Sequence, residues 1–393
     1  MTPGGSVPLC PDQDVEAIAR LPVGGVQFAA THSAAGGIRE LWDDLAANLA
    51  TPGVPVSRFV LYPPPDPVAE GVDFASWHHI APHKPDVPRA WIALFQALVR
   101  HLRATRPRAI VTAMPACNVI VPLAVRVAGV ETRVFVTHHS PAATHNPKLD
   151  RLDSWTGRLA CVAAVVSVSD AVGASLGHKP SAYRAKRRTI RNALPVSLEQ
   201  QLDHLREARS LSAPPVRIVA LGRLTAQKNY PQLIDAMARV RGAELDIIGG
   251  GEDEAELRAR AAMRCPLGTI AFRGHLPRAR ALAIAAAADI FVQVSLYEGH
   301  SLALIEAARL GLPLIVSDVP EQVEAITAQD GTRCGIVVPL GDADALAQEL
   351  NQLVRDPWAR DAYSALALRL AAEASNAAMV ARYAALLGLA SDG

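Results

Sequence analysis

Glu298 and Glu306 stand eight residues apart in the segment Ser295-Leu296-Tyr297-Glu298-Gly299-His300-Ser301-Leu302-Ala303-Leu304-Ile305-Glu306-Ala307. Ionised carboxylates accept hydrogen bonds and donate none, so each can hold a hydroxyl. An apolar run from Asp289 to Val294 precedes the first and reads as a buried strand. The helical pattern around the second stops at Gly311 and Pro313. Glu298 therefore falls on a strand-to-helix loop and Glu306 about one turn into the helix. Between them lie the free amides of a helix N-terminus, where N–H groups and helix dipole both favour an anion. Two hydroxyl acceptors flanking a phosphate cradle suit a ligand with sugars on both sides of a diphosphate.

A second loop brings the opposite charge. Gly222-Arg223-Leu224-Thr225-Ala226-Gln227-Lys228-Asn229 follows an apolar strand, with two cations five residues apart. Arg offers a fork for phosphate oxygens and Lys a point charge. As a solvated turn the same loop would need neither. Gly249-Gly250-Gly251-Glu252 also follows a strand, but its spacing is not that of a dinucleotide fingerprint, and a tight turn explains it. Ser33-Ala34-Ala35-Gly36-Gly37 stands between the first strand and a helix, where backbone amides could meet phosphate. His138-His139-Ser140 with His145 could touch a sugar hydroxyl, and no acid or cysteine completes a zinc set around them. Asp342-Ala343-Asp344 has the DxD spacing of metal-dependent sugar transferases, yet it opens a helix after Pro339-Leu340-Gly341. Asp342 as N-cap accounts for it without metal. The basic stretch from Lys179 to Arg188, with Arg100, Arg103, Arg106 and Arg108, reads as solvated surface or as a face for anionic headgroups or an acidic acceptor.

These loops need a scaffold, and strand-length apolar runs alternate with helical patterns almost throughout. Strands are expected at Val26–Thr31 and near Arg58–Tyr62, Ala109–Ala113, Arg133–Thr137 and Ala163–Val168, with helices near Trp91–Arg103 and Asn118–Val127. A polar, helix-flavoured stretch ending in Ser212-Ala213-Pro214-Pro215 breaks the pattern and reads as a linker. A second alternation runs from Val216 through strands at Leu245–Ile248, Asp289–Val294, Pro313–Ser317 and Ile336–Val338. The expectation is an N-terminal tail to residue 20, a domain over 21–197 and a linker over 198–215. A second domain over 216–375 and a C-terminal helical segment over 376–393 complete it. Both domains are α/β with doubly wound parallel sheets, and the ligand belongs in the cleft outside the carboxyl ends of their strands.

Composition agrees with that class. The chain has 393 residues, 50% hydrophobic and 20% charged, enough for two cores. A net charge of +1 gives no global pull toward nucleic acid or membrane. Five scattered cysteines without CxxC spacing fit a reducing compartment rather than a disulfide framework. No secretory signal is visible, so a cytoplasmic protein is expected, with peripheral contact on the inner face of the plasma membrane as its membrane option.

Taken together the motifs resemble glycosyltransferase family 4, the retaining, nucleotide-sugar-dependent enzymes of GT-B fold. Glu298 and Glu306 resemble its E-x7-E motif, and Gly222-Arg223-Leu224 with Lys228 its GRL-xxx-K motif. Pro313-Leu314-Ile315-Val316-Ser317-Asp318, Gly335-Ile336-Val337-Val338-Pro339 and Gly341-Asp342-Ala343 fall in its usual order. The likeness is dense from about Val216 to Leu350 and looser over Gly36-Gly37, His138 and Ile190-Arg191-Asn192-Ala193.

The resemblance implies two Rossmann-like domains facing a central cleft. It implies a metal-independent hexosyltransferase that uses a nucleoside diphosphate sugar and a carbohydrate or lipid-linked acceptor, with no cofactor. Arg223 and Lys228 would hold the diphosphate, aided by amides of Ser301, Leu302 and Ala303. Glu306 would bind the ribose, Glu298 would face the sugar, and His138 or its neighbour His139 would approach that sugar. Gly37 would let the N-domain backbone near the diphosphate, and Arg273 and Gly274 would lie near the base. Two departures stand out. Phe-Gly of the family is His300-Ser301 here, so His300 could contact the sugar, and a family glycine is Asn229. A GT-B sugar-nucleotide epimerase, or a catalytically silent sugar-nucleotide-binding subunit, would share most of this pattern.

Overall fold

The computed structural model describes residues 23–32, 37–51, 53–64, 77–209, 214–265 and 268–389. Ser33 to Gly36, and with them most of the first glycine loop, lie outside the described residues.

The first domain is a seven-stranded parallel sheet. Its strands are β1 (Val26–Ala30), β2 (Val56–Val60), β3 (His78–His79), β4 (Ala109–Ala113), β5 (Arg133–His138), β6 (Val162–Ser167) and β7 (Arg187–Thr189), in the order β3-β2-β1-β4-β5-β6-β7. The second domain holds β8 (Val216–Leu221), β9 (Ala243–Ile248), β10 (Ile270–Gly274), β11 (Ile290–Gln293), β12 (Leu314–Ser317) and β13 (Ile336–Val338), in the order β10-β9-β8-β11-β12-β13. All described pairings within both sheets are parallel. The strands are near-continuous apolar runs because both faces are covered by helices. In each domain the order reverses beside the first strand, between β1 and β4 and between β8 and β11. The loops that follow β1, β8 and β11 sit at these switch points, where open α/β sheets bind ligands.

Proline sets several helix starts. Helices Pro88–Thr105 and Pro115–Ala128 both begin on one, as its fixed φ and missing N–H allow. Both are longer than the apolar periodicity alone predicts. Three strands were not evident in the sequence, the edge strands β3 and β10 and the short basic β7.

The stretch expected as a linker is structured in its first half. Helix Val196–Glu207 buries Leu198 and Leu202 in one cluster with Leu304, Leu310 and Leu312 of the second domain. The C-terminal helix Asn376–Leu387 returns to the first domain instead. Met379, Tyr383 and Leu387 pack there with Trp42 and Leu45. Asn376 fixes that return, donating to Asp44 Oδ2 and to the Leu194 carbonyl, both at 2.8 Å.

Candidate active site

The loop after β11 and the loop after β8 are stitched together before any ligand arrives. Leu296 N donates to the Gln227 carbonyl at 2.8 Å, and Gln227 Nε2 donates to the Tyr297 carbonyl at 3.1 Å. This brings Lys228 Nζ to Glu298 Oε1 at 2.6 Å. Glu298 is 7% exposed, so its pairing matters: a buried carboxylate without a cation is costly. Arg223 stays exposed on the same loop, and no described residue pairs with it. A cation in solvent at the mouth of the cleft is available to an anionic ligand.

The glycines around this loop have a packing reason. A Cβ on Gly249 would stand 2.0 Å from the Gly222 carbonyl oxygen, and one on Gly251 would stand 2.3 Å from the Leu224 oxygen. The triplet is the wall against which Gly222-Arg223-Leu224 folds. Asn229 adopts φ 50°, ψ 39°. Asn tolerates that left-handed conformation better than other non-glycine residues, so its replacement of a family glycine keeps the turn.

Helix Leu302–Arg309 is capped by Ser301, whose Oγ accepts from Leu304 N at 3.4 Å and donates to Gln293 Oε1 at 2.9 Å. Ser301 has φ −69°, so serine fits here without strain and leaves the first-turn amides aimed outward. Leu302 faces Gly37, the first residue of helix Gly37–Leu49, where an added Cβ would be 3.1 Å from Leu302 Cδ1. Gly37 thus lets the N-domain backbone close on the helix N-terminus. Glu306 lies on the cleft side, paired through Oε1 with Arg278, which also pairs with Glu40 of the first domain. Burial pushes the Glu306 carboxyl up to about 7, against the opposing pull of Arg278.

His138, His300, Arg273 and Gly274 each have contacts of their own. His138 does not reach the loop of Glu298: its Nε2 bonds Tyr183 Oη at 2.8 Å, deep in the first domain. Tyr183 donates to Asp153 Oδ2 at 2.8 Å, so the His138 ring must be the donor to Tyr183. Burial keeps His138 neutral, its pKa lowered to about 4. His139 is the neighbour that meets the second domain. Its carbonyl oxygen lies 2.0 Å from where a Gly299 Cβ would stand, and its ring sits edge-on to Trp42. Successive residues leaving a strand point to opposite faces, which splits the doublet. His300 lines a cavity of about 370 Å³ together with Arg191, Asn192 and Glu324, while its carbonyl accepts from Asn192 Nδ2 at 3.2 Å. None of Arg223, Lys228, Glu298 and Glu306 lines that cavity. Arg273 lies on β10 with its guanidinium on Asp246 at 2.6 Å. Gly274 accepts from Gly249 N at 3.0 Å and so borders the site by its backbone.

The remaining motifs resolve structurally. Asp342 Oδ1 accepts from Ala345 N at 2.8 Å as an N-cap, and Asp344 pairs with Arg239 at 2.8 Å. The basic stretch is only partly a free surface. Lys186 donates to the Gly157 and Leu159 carbonyls, and Arg187 donates to the Gly173 carbonyl. Lys179 is buried between Asp150 and Asp153, at 2.7 and 2.9 Å. Lys179→Met should destabilise the fold by about 3–5 kcal/mol, since buried Asp153 and partly buried Asp150 lose their cation. Urea unfolding of the variant measures this, and a change under 1 kcal/mol would contradict it.

A doubly wound pair of domains with a cation-bearing GRL loop against a capped, carboxylate-flanked helix defines a GT-B glycosyltransferase scaffold. Residues 203–369 match the family model described as glycosyl transferases group 1. Residues 203–369 thus resemble that family's domain, in line with the resemblance to glycosyltransferase family 4 drawn from the motifs. Among curated relatives, a putative glycosyltransferase EpsF of Bacillus subtilis is 29% identical over 52% of the chain and 56% of its own length. The amylovoran biosynthesis glycosyltransferase AmsD of Erwinia amylovora is 25% identical over 73% and 80%. The chain thus spans little more than half of EpsF. Anabaena HepE, solved with UDP and glucose, superposes with a TM-score of 0.75 at 15% identity, covering 93% of the chain and 99% of HepE. No helix among the described residues is long and apolar enough to cross a membrane.

Proposed function

We propose that the protein is a retaining glycosyltransferase. It moves a hexose-type sugar from a nucleoside diphosphate sugar to a hydroxyl acceptor in bacterial polysaccharide or glycolipid synthesis. The observation that carries this is the Lys228–Glu298 pair beside the capped helix N-terminus, with Arg223 left exposed. Cations and helix amides there suit a leaving diphosphate, whose negative charge grows as the glycosidic bond breaks. A relative named for amylovoran biosynthesis, and a neighbour solved with UDP and glucose, support the substrate class.

In this reading the diphosphate lies against Arg223, Lys228 and the amides of Ser301, Leu302 and Ala303. Glu306 takes the ribose hydroxyls. Glu298 and the N-domain backbone at His139 border the transferred sugar. The bond from the anomeric carbon to the phosphate oxygen breaks, and the acceptor oxygen bonds to the same face. The acceptor proton passes to the departing phosphate oxygen, so the chemistry asks for no separate base and no metal. Contact of the domains through Gly299 and Leu302 excludes water and limits donor hydrolysis.

Product analysis tests this. Incubation with nucleotide sugars, with and without a glycan or lipid-linked acceptor, should give acceptor-dependent release of nucleoside diphosphate, with the donor's anomeric configuration kept in the product. An epimerised sugar nucleotide without acceptor would mark an epimerase. Binding with no turnover would mark a silent subunit.

A further inference from the structure

We propose that Arg278 is a positioning residue for the donor: bridging Glu40 and Glu306, it holds the Glu306 carboxylate toward the nucleotide ribose and ties it to the first domain. The proposal rests on Glu306 as the ribose anchor.

Arg278 is the first residue of helix Arg278–Ala286, just beyond β10. Its two terminal nitrogens serve different domains: Nη1 goes to Glu40 in the first turn of helix Gly37–Leu49, and Nη2 goes to Glu306. The fork geometry of a guanidinium permits this division, which an ammonium could not reproduce. Its Nε is buried without a partner among the described residues, while the side chain as a whole stays 37% exposed. Only Oε1 of Glu306 is used. Oε2 has no partner among the described residues, which leaves one oriented acceptor for hydroxyls.

The charge on Glu306 depends on the same arginine. The carboxyl is 8% exposed, and burial favours its neutral form. The charged groups that act on it are Arg278, which favours ionisation, and Glu40, which opposes it. Without Arg278, burial and Glu40 would act unopposed, and the carboxyl would hold its proton to higher pH. A protonated carboxyl is a weaker acceptor for two hydroxyls. Ribose recognition in an Arg278 variant should therefore fade as pH falls and return as pH rises.

The test is calorimetric binding of UDP, GDP and ADP, and of their 2′,3′-dideoxy forms, to the full chain between pH 6.5 and 8.5. Wild type should prefer a ribonucleotide over its dideoxy form. Arg278→Gln should weaken the ribonucleotide by about tenfold at pH 7, the scale of a hydrogen bond to a charged group, and leave the dideoxy form unchanged. The loss should shrink by pH 8.5, and Arg278→Lys should restore part of the preference. Equal weakening of both ligands would place Arg278 on the phosphates or base and overturn the proposal. Unchanged or tighter ribonucleotide binding would make it a bystander or a competing latch, and would overturn it too. Failure of wild type itself to bind any of the three would overturn the ribonucleotide-donor reading on which the proposal rests, a result distinguishable from failure of the variant.

Discussion

Lys228→Ala is expected to lower turnover by about 10²- to 10³-fold, the usual cost of losing one preorganised group at a developing negative charge. Lys228 does two jobs, so the loss needs apportioning. It faces the proposed diphosphate position, and it neutralises buried Glu298 at 2.6 Å. Removing it alone strands that carboxylate and should also cost stability. The double variant Lys228→Met with Glu298→Gln removes both charges and should recover most of the stability. If Lys228 serves the leaving diphosphate, turnover of the double variant stays low. Recovery of turnover with stability would make Lys228 only a structural partner. Arg223→Ala should lower turnover while leaving stability nearly unchanged, since no described residue pairs with it.

Gly299→Ala is the second variant with a large expected effect. Its Cβ would stand 2.0 Å from the His139 carbonyl oxygen and 3.1 Å from Val168 Cγ2. Backbone cannot yield that much, so the loop of Glu298 must retreat from the first domain. A misplacement of about 1 Å at reacting groups can cost roughly 10²-fold in rate, and turnover should fall on that scale. The nucleotide side of the cleft lies on the second domain, so nucleoside diphosphate binding should change little. Steady-state kinetics beside calorimetry separate the two. Full turnover would show that the Gly299–His139 contact is not part of the working geometry.

The loops were legible in the sequence because their chemistry is local. Arg223 and Lys228 lie within one post-strand loop, and Glu298 and Glu306 within one loop-and-helix segment, so spacing alone brings each pair near one helix N-terminus. The alternation of strands and helices was legible for the same reason. What joined them was not. Arg278 lies 28 residues from Glu306 and 238 from Glu40, and no periodicity links the three. The choice within the His138–His139 doublet depended on Tyr183 and Asp153, whose hydrogen bonds draw one ring into the first domain. His300 sits between Glu298 and Glu306 in sequence yet lines a cavity with Arg191 and Asn192 that neither carboxylate borders, a placement no spacing reveals. Polarity suggested a linker over 198–215, but two leucines were enough to seat helix Val196–Glu207 in the second core. The C-terminal helix carries a helical pattern that says nothing of which domain receives it.

Thermal unfolding of the full chain with a panel of UDP-, GDP-, ADP- and dTDP-sugars tests the donor site most directly. At about 100 times its dissociation constant the correct donor should add roughly 2.7 kcal/mol of stability. Glu306→Ala should lose most of that gain while unfolding normally without ligand. Stabilisation by none of the panel, or a gain that survives intact in both Glu306→Ala and Lys228→Ala, would contradict a nucleotide-sugar site in this cleft.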